Sequence, residues 1–137
     1  MRKARTLIRT VLAAIASFAA LNAQAAELSR VAAAFGNTVM TIYPDGRTQK
    51  IWLHPDGEWN GLSRRNEPLS GKWTLKGDKV CLRQSKPPTL PFSYCTAFPE
   101  DAHIGVTWTS KDMVGTPIKL TVLKGMPAAQ QAAEAAR

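Results

Sequence analysis

From residue 38 onward apolar and polar side chains alternate with a period of two, and turn signals interrupt them every 8 to 12 residues. That spacing is expected of an all-β sandwich or barrel. Residues 38–43 form the first β-rich run, closed by Pro44-Asp45-Gly46; residues 47–54 form the second, closed by Pro55-Asp56-Gly57, the same device 11 residues later. Proline presets φ, aspartate bonds its own backbone and glycine supplies positive φ, so each triplet reads as a hairpin turn. A third run, 58–62, enters the polar loop 63–68. Residues 70–76 set Trp73 and Leu75 against Lys72, Thr74 and Lys76, and residues 79–84 set Val80 and Leu82 against Cys81 and Arg83. Phe92, Tyr94, Thr96 and Phe98 then share one face opposite Ser93, Cys95 and Ala97. Two last runs carry Ile104, Val106 and Trp108, then Ile118, Leu120 and Val122, on single faces. About eight short strands with short connections predict an antiparallel up-and-down barrel that removes its own edges by closing, with a two-sheet sandwich as the alternative.

The flanks follow other patterns. Residues 26–36 are good helix formers that stop at Gly36-Asn37, predicting a short helical lead-in to a β-domain over 37–125. The tail, 126–137, is rich in alanine and glutamine, flexible or helical, and too poor in bulky apolar side chains to pack well. At the N-terminus Arg2, Lys3, Arg5 and Arg9 precede an uncharged apolar run of about 12 residues and then Ala23-Gln24-Ala25. A membrane-spanning helix needs about 20 apolar residues, so residues 1–25 read as a cleavable signal peptide, and the mature protein is expected in the periplasm or outside the cell. No cysteine stands directly after the apolar run, which disfavours a lipid anchor.

Cleavage after Ala25 leaves 112 residues, the size of one domain, with 14 basic and 10 acidic side chains for a net charge of +4 instead of +8. A balance so small and so scattered is no nucleic-acid footprint. With no later membrane segment, a monomer is expected. The only two cysteines, Cys81 and Cys95, lie on the less hydrophobic faces of two strands that a hairpin makes neighbours, and an oxidising compartment favours a structural disulfide between them.

Gly36-Asn37-Thr38-Val39, the paired Pro-Asp-Gly turns, Ser70-Gly71-Lys72-Trp73, Lys79-Val80-Cys81-Leu82 and Cys95 together resemble a group of small secreted bacterial β-proteins, over residues 36–125. The shape implied is similar to small lipocalin-like barrels, including periplasmic inhibitors of hydrolases. The resemblance implies architecture and compartment, and it carries over no functional residue.

Candidate chemistry is sparse. The histidines are His54, before a turn where Asp56 is near, and His103, at the start of a strand; no Gly-x-Ser-x-Gly elbow or phosphate-cradling glycine loop accompanies them. His54, Asp56 and Glu58 are metal-ligand types, but the intervening turn breaks their shared parity, so no metal and no cofactor is expected. Trp52, Trp59, Trp73 and Trp108 fall on four different strands, where packing in the core competes with lining a site. Trp52 and Trp59, with Arg64 and Arg65 in the adjoining loop, form the candidate binding surface. The expectation is a non-catalytic binding or inhibitor-like module directed at an envelope protein, a glycan or an apolar small ligand. The alternatives are a small envelope enzyme using His54 or His103, and a structural envelope protein without a discrete ligand.

Overall fold

The computed structural model describes residues 28–89 and 91–137; the proposed signal peptide lies outside them. A short helix, α1 (28–32), leads into eight antiparallel strands: β1 (Thr38–Ile42), β2 (Thr48–Leu53), β3 (Glu58–Leu62), β4 (Pro68–Lys76), β5 (Lys79–Lys86), β6 (Tyr94–Ala97), β7 (Thr107–Lys111) and β8 (Pro117–Leu123). A second helix, α2 (Ala128–Ala135), ends the chain. The strands form one sheet in the order β6-β5-β4-β3-β2-β1-β8-β7, so the sandwich alternative is excluded and the sheet curls into a nearly closed barrel.

Closure falls between β6 and β7, which share no ladder. Side chains span the gap instead. The Thr96 and Ser110 hydroxyls lie 2.8 Å apart, the Tyr94 hydroxyl donates to the Lys111 carbonyl at 2.6 Å, and Trp108 Nε1 donates to the Ala97 carbonyl at 3.1 Å. Trp108 also packs on Phe98, with ring centroids 4.9 Å apart. Across the β5–β6 pair Cys81 faces Cys95 directly and the two are disulfide-bonded, with Cα atoms 4.0 Å apart on the outer face.

The same hairpin loop is built four times. In each, a backbone N–H donates to the carbonyl four residues on, while that first residue's carbonyl accepts from the fourth residue of the loop; the loops span 43–47, 54–58, 63–67 and 112–116. This is a three-residue hairpin connection whose last central residue is left-handed. Gly57 fills that position with φ 88°, and Asn66, the only non-glycine with positive φ among the described residues, fills it with φ 60°. Only two of the four carry the Pro-Asp-Gly sequence.

Inside the barrel, the lower half is a packed core of Val39, Leu53, Trp73, Val80, Leu120 and Val122. Helix α1 stoppers this end, where Val31 and Ala34 are fully buried and Phe35 lies 5.8 Å from the Trp73 ring. Asn37 Nδ2 donates to the Ala33 carbonyl as its Oδ1 accepts from Gly125 N, so one side chain ends the helical lead-in and ties it to the end of β8. Phe92 and Ile104, placed by parity on strands, instead stand in connections and are 60 % and 49 % exposed, because β6 and β7 begin later than the alternation suggests.

The tail is helical, one of the two states expected of it, and it docks by polar contacts that an inventory of apolar bulk does not register. Glu134 pairs with His54, and Arg137 Nη1 bonds Asp56 at 2.9 Å and Glu58 at 2.6 Å. Hydrogen bonding to Glu58 and Asp56 holds the Arg137 guanidinium above its ordinary pKa, against the opposing effect of burial. Among the described residues no helix is long and apolar enough to cross a membrane.

Candidate functional site

Strand alternation sends one set of side chains into the upper half of the barrel, where the core stops and a cavity begins. Ile51, Trp59, Leu69, Leu82 and Ile118 form its apolar wall and floor, and its volume is about 660 Å³. Small-molecule sites typically measure about 300–1,000 Å³.

Trp59 makes the floor possible. Its ring lies inside the barrel, 2 % exposed, with Nε1 donating to the Lys72 carbonyl at 3.2 Å. The neighbouring inward positions, Gly61 and Gly71, have no side chain to compete with it. A Cβ on Gly61 would stand 3.3 Å from the indole ring and one on Gly71 2.8 Å from Nε1. Two glycines therefore make the bay in which one tryptophan lies.

The rim is polar. Tyr43, Gln49, Arg64, Gln84, Tyr94 and Asp112 all reach the cavity. The Tyr43 hydroxyl donates to Gln49 Oε1 at 3.1 Å, and the Arg64 guanidinium sits 4.4 Å above the centre of the Tyr43 ring, a cation–π contact. Burial raises the Tyr43 phenol above its ordinary pKa, with Arg64 opposing and Asp112 reinforcing the shift. For Asp112, desolvation pushes the carboxyl up, but the Thr116 and Val114 N–H groups outweigh it and the net shift is downward. The cavity lining thus sets one cation, Arg64, and one fixed carboxylate, Asp112, in a hydrogen-bonding rim above an apolar floor.

The candidate surface is divided by the sheet. Trp59 and Arg64 meet in the cavity, whereas Trp52 has the opposite parity and lies outside the barrel. It is nonetheless only 1 % exposed: Nε1 donates to Thr38 Oγ1 at 2.9 Å, that hydroxyl donates to the Gly125 carbonyl, and the clasped C-terminal segment closes over this face. Arg65 is exposed beside the mouth and does not line it. Neither histidine faces the cavity. His54 is 1 % exposed on the outer face against Glu134, and His103 is exposed in a connection with Nδ1 2.6 Å from the Asp101 carbonyl. No group of three or more histidine, cysteine or carboxylate side chains that could hold a metal is present among the described residues.

Sequence reading missed Tyr43, Gln49, Gln84 and Asp112. Tyr43 and Asp112 sit just past strand ends and Gln49 and Gln84 within two residues of one, all on inward parity, and the only signal was that the inward set turns from apolar to polar towards one end of every hairpin. A second depression, about 770 Å³, follows the outside of the β6–β7 seam between Lys79 and Lys111. It is an open trough and cannot take a ligand out of water. No protein-family model, curated protein or solved structure matches the chain.

Proposed function

We propose that this domain is an extracytoplasmic binding module that holds one small amphiphilic molecule in the mouth of its barrel. The apolar part rests on Trp59, Leu69 and Leu82, and the polar end meets Tyr43, Gln49, Arg64 and Gln84. The observation that carries this reading is the 660 Å³ cavity, with apolar floor and polar rim, left above a core that is otherwise filled. Interiors are close-packed, and two glycines maintain the bay here. Among the occupants considered from sequence, a small ligand with an apolar body fits this cup better than a glycan, which needs hydrogen-bonding groups along its whole length. The export signal expected from the sequence and the disulfide support the compartment.

The test is a fluorescence titration with anilinonaphthalene sulfonate, followed by displacement with medium-chain alcohols and carboxylates. Saturable one-to-one binding with energy transfer from Trp59 is expected, and Leu69→Arg, which places a charge on the cavity wall, should weaken it at least about tenfold. Absence of saturable binding by any amphiphile, or binding indifferent to Leu69→Arg, refutes the proposal.

A further inference from the structure

The loops around the mouth carry residues that their folding does not ask for. Three copies of the shared hairpin loop lie at the open end, and their two leading central residues are Pro44-Asp45, Arg64-Arg65 and Met113-Val114. Proline and aspartate suit these positions for backbone reasons. Methionine and valine do not: they are 70 % and 87 % exposed, and Phe92, on the β5–β6 connection beside them, is 60 % exposed. Phe92 and Met113 also line the cavity, so apolar surface runs from the floor of the cup over its lip. Single exposed apolar side chains are ordinary. Three on one rim, continuous with a cavity, mark an interaction surface.

Charge is distributed in the same sense. Arg64, Arg65, Lys86 and Lys111 ring the mouth, and none is held in a salt bridge among the described residues. Six of the nine carboxylates among the described residues belong to the stoppered end; Asp45, Glu67 and Asp112 stand in the mouth loops, where Asp45 is already paired with Arg47, so the mouth keeps the excess of positive charge.

We propose that the mouth of the barrel docks on an anionic phospholipid surface, with Phe92, Met113 and Val114 entering the interface and Arg64, Arg65, Lys86 and Lys111 facing the headgroups. A stable protein interface needs about 800 Å² of complementary surface from each partner, and three protruding tips do not supply it. A second copy would also set these cations against one another. A bilayer takes apolar tips without needing a matched shape, and its negative surface contributes roughly fivefold in partitioning for each nearby basic side chain. Docked in this way, the cup opens onto the source of amphiphilic ligands.

Flotation of the full mature protein with vesicles tests the proposal, using phosphatidylcholine alone and phosphatidylcholine mixed with phosphatidylglycerol, at low and high salt. Binding to the mixed vesicles at low salt is expected, with loss in high salt and on pure phosphatidylcholine. Val114→Asp should reduce partitioning about tenfold and Lys111→Glu on the order of twentyfold; neither side chain is among those assigned to the ligand, so both variants keep their amphiphile binding and melting temperature. No binding to anionic vesicles, equal binding to both compositions, or full binding by both variants overturns the proposal. So does a lipid-free dimer in sedimentation velocity that Val114→Asp abolishes. Because the ligand titration is run without vesicles, the cavity reading and the docking reading stand or fall separately.

Discussion

Gly71→Ala tests whether the cavity floor is held as the geometry says. A Cβ at this position would stand 2.0 Å from the Arg83 carbonyl oxygen and 2.8 Å from Trp59 Nε1. The first neighbour is backbone in the β4–β5 pair, at a register shift between Ser70 and Gly71, and no rotamer change relieves it. The strand must open or the indole must lift. Overpacking a filled interior costs about 1–3 kcal/mol, and loss of the indole bond to Lys72 adds about 1 kcal/mol, so about 2–4 kcal/mol is expected. At about 4 °C per kcal/mol for a domain of this size, the melting temperature should fall by about 8–16 °C. Gly61→Ala meets the Lys50 carbonyl at 2.6 Å and should move in the same direction by about 2 kcal/mol. Gly77→Ala supplies the control, since its Cβ meets nothing and only its φ of 62° is unfavourable, a cost of about 1 kcal/mol. Urea unfolding gives the three stabilities and near-ultraviolet circular dichroism reports the indole environment. If Gly71→Ala loses no more than Gly77→Ala and leaves the near-ultraviolet spectrum unchanged, Trp59 does not lie in a glycine bay and the account of the floor is wrong.

Three further outcomes follow from the outer face. Replacing Cys81 and Cys95 together with serine should cost roughly 3 kcal/mol in urea unfolding while leaving amphiphile affinity intact, because the bridge lies outside the barrel. Trp52→Phe keeps most of the buried ring but loses the bond to Thr38, about 1 kcal/mol, whereas Trp52→Ala should cost about 3–5 kcal/mol; equal effects of the two would show that the C-terminal segment does not cover this site. Asp56 is held below its ordinary pKa of 3.8, chiefly by the Glu58 backbone N–H and further by Arg137. A depressed folded-state pKa contributes stability that is present above the unfolded value and lost as pH falls through the folded one. The stability difference between the parent and Asp56→Asn should therefore be constant near neutrality, begin to shrink near pH 3.8 and vanish only below the depressed folded-state value, as read from urea midpoints across the acid range; a difference that persists at the lowest pH contradicts the assignment.

The strands were legible because a barrel wall is wet on one side and dry on the other, and period-two alternation is the direct imprint of that. Val80 and Leu82 against Cys81 gave both the inward face of β5 and the disulfide geometry. Legibility failed where the pattern is not about apolar bulk. The loops 63–67 and 112–116 fold like the Pro-Asp-Gly turns, yet neither has a proline and one replaces glycine with Asn66, so composition concealed the shared geometry. Trp52 was ambiguous because its strand is covered on both faces, by the core inside and by the C-terminal segment outside. That segment holds on through Glu134 and Arg137, and a charged pair at long range leaves no periodic trace. The polar rim had the weakest signal: Gln49 and Gln84 read as ordinary strand residues until the sheet closes and turns them towards a common centre.

A barrel stoppered at one end constrains its two ends differently. At the closed end Val31, Ala34, Phe35 and Trp73 must fit one another, so their identities are set by packing. At the open end the hairpin loops are fixed by backbone bonds and by one left-handed residue each, which leaves the leading central positions free to take almost any side chain. Pro44-Asp45 occupies them conservatively. Arg64-Arg65 and Met113-Val114 do not, and nothing in the stability of their loops accounts for the choice. Exposed methionine and valine are tolerated against the tendency of such surfaces to associate, next to cations that form no salt bridge among the described residues. Positions whose identity folding leaves open are free to serve binding, so function in this protein is to be sought at the mouth, where the wall of the cavity and its exposed lip are made by the same few loops.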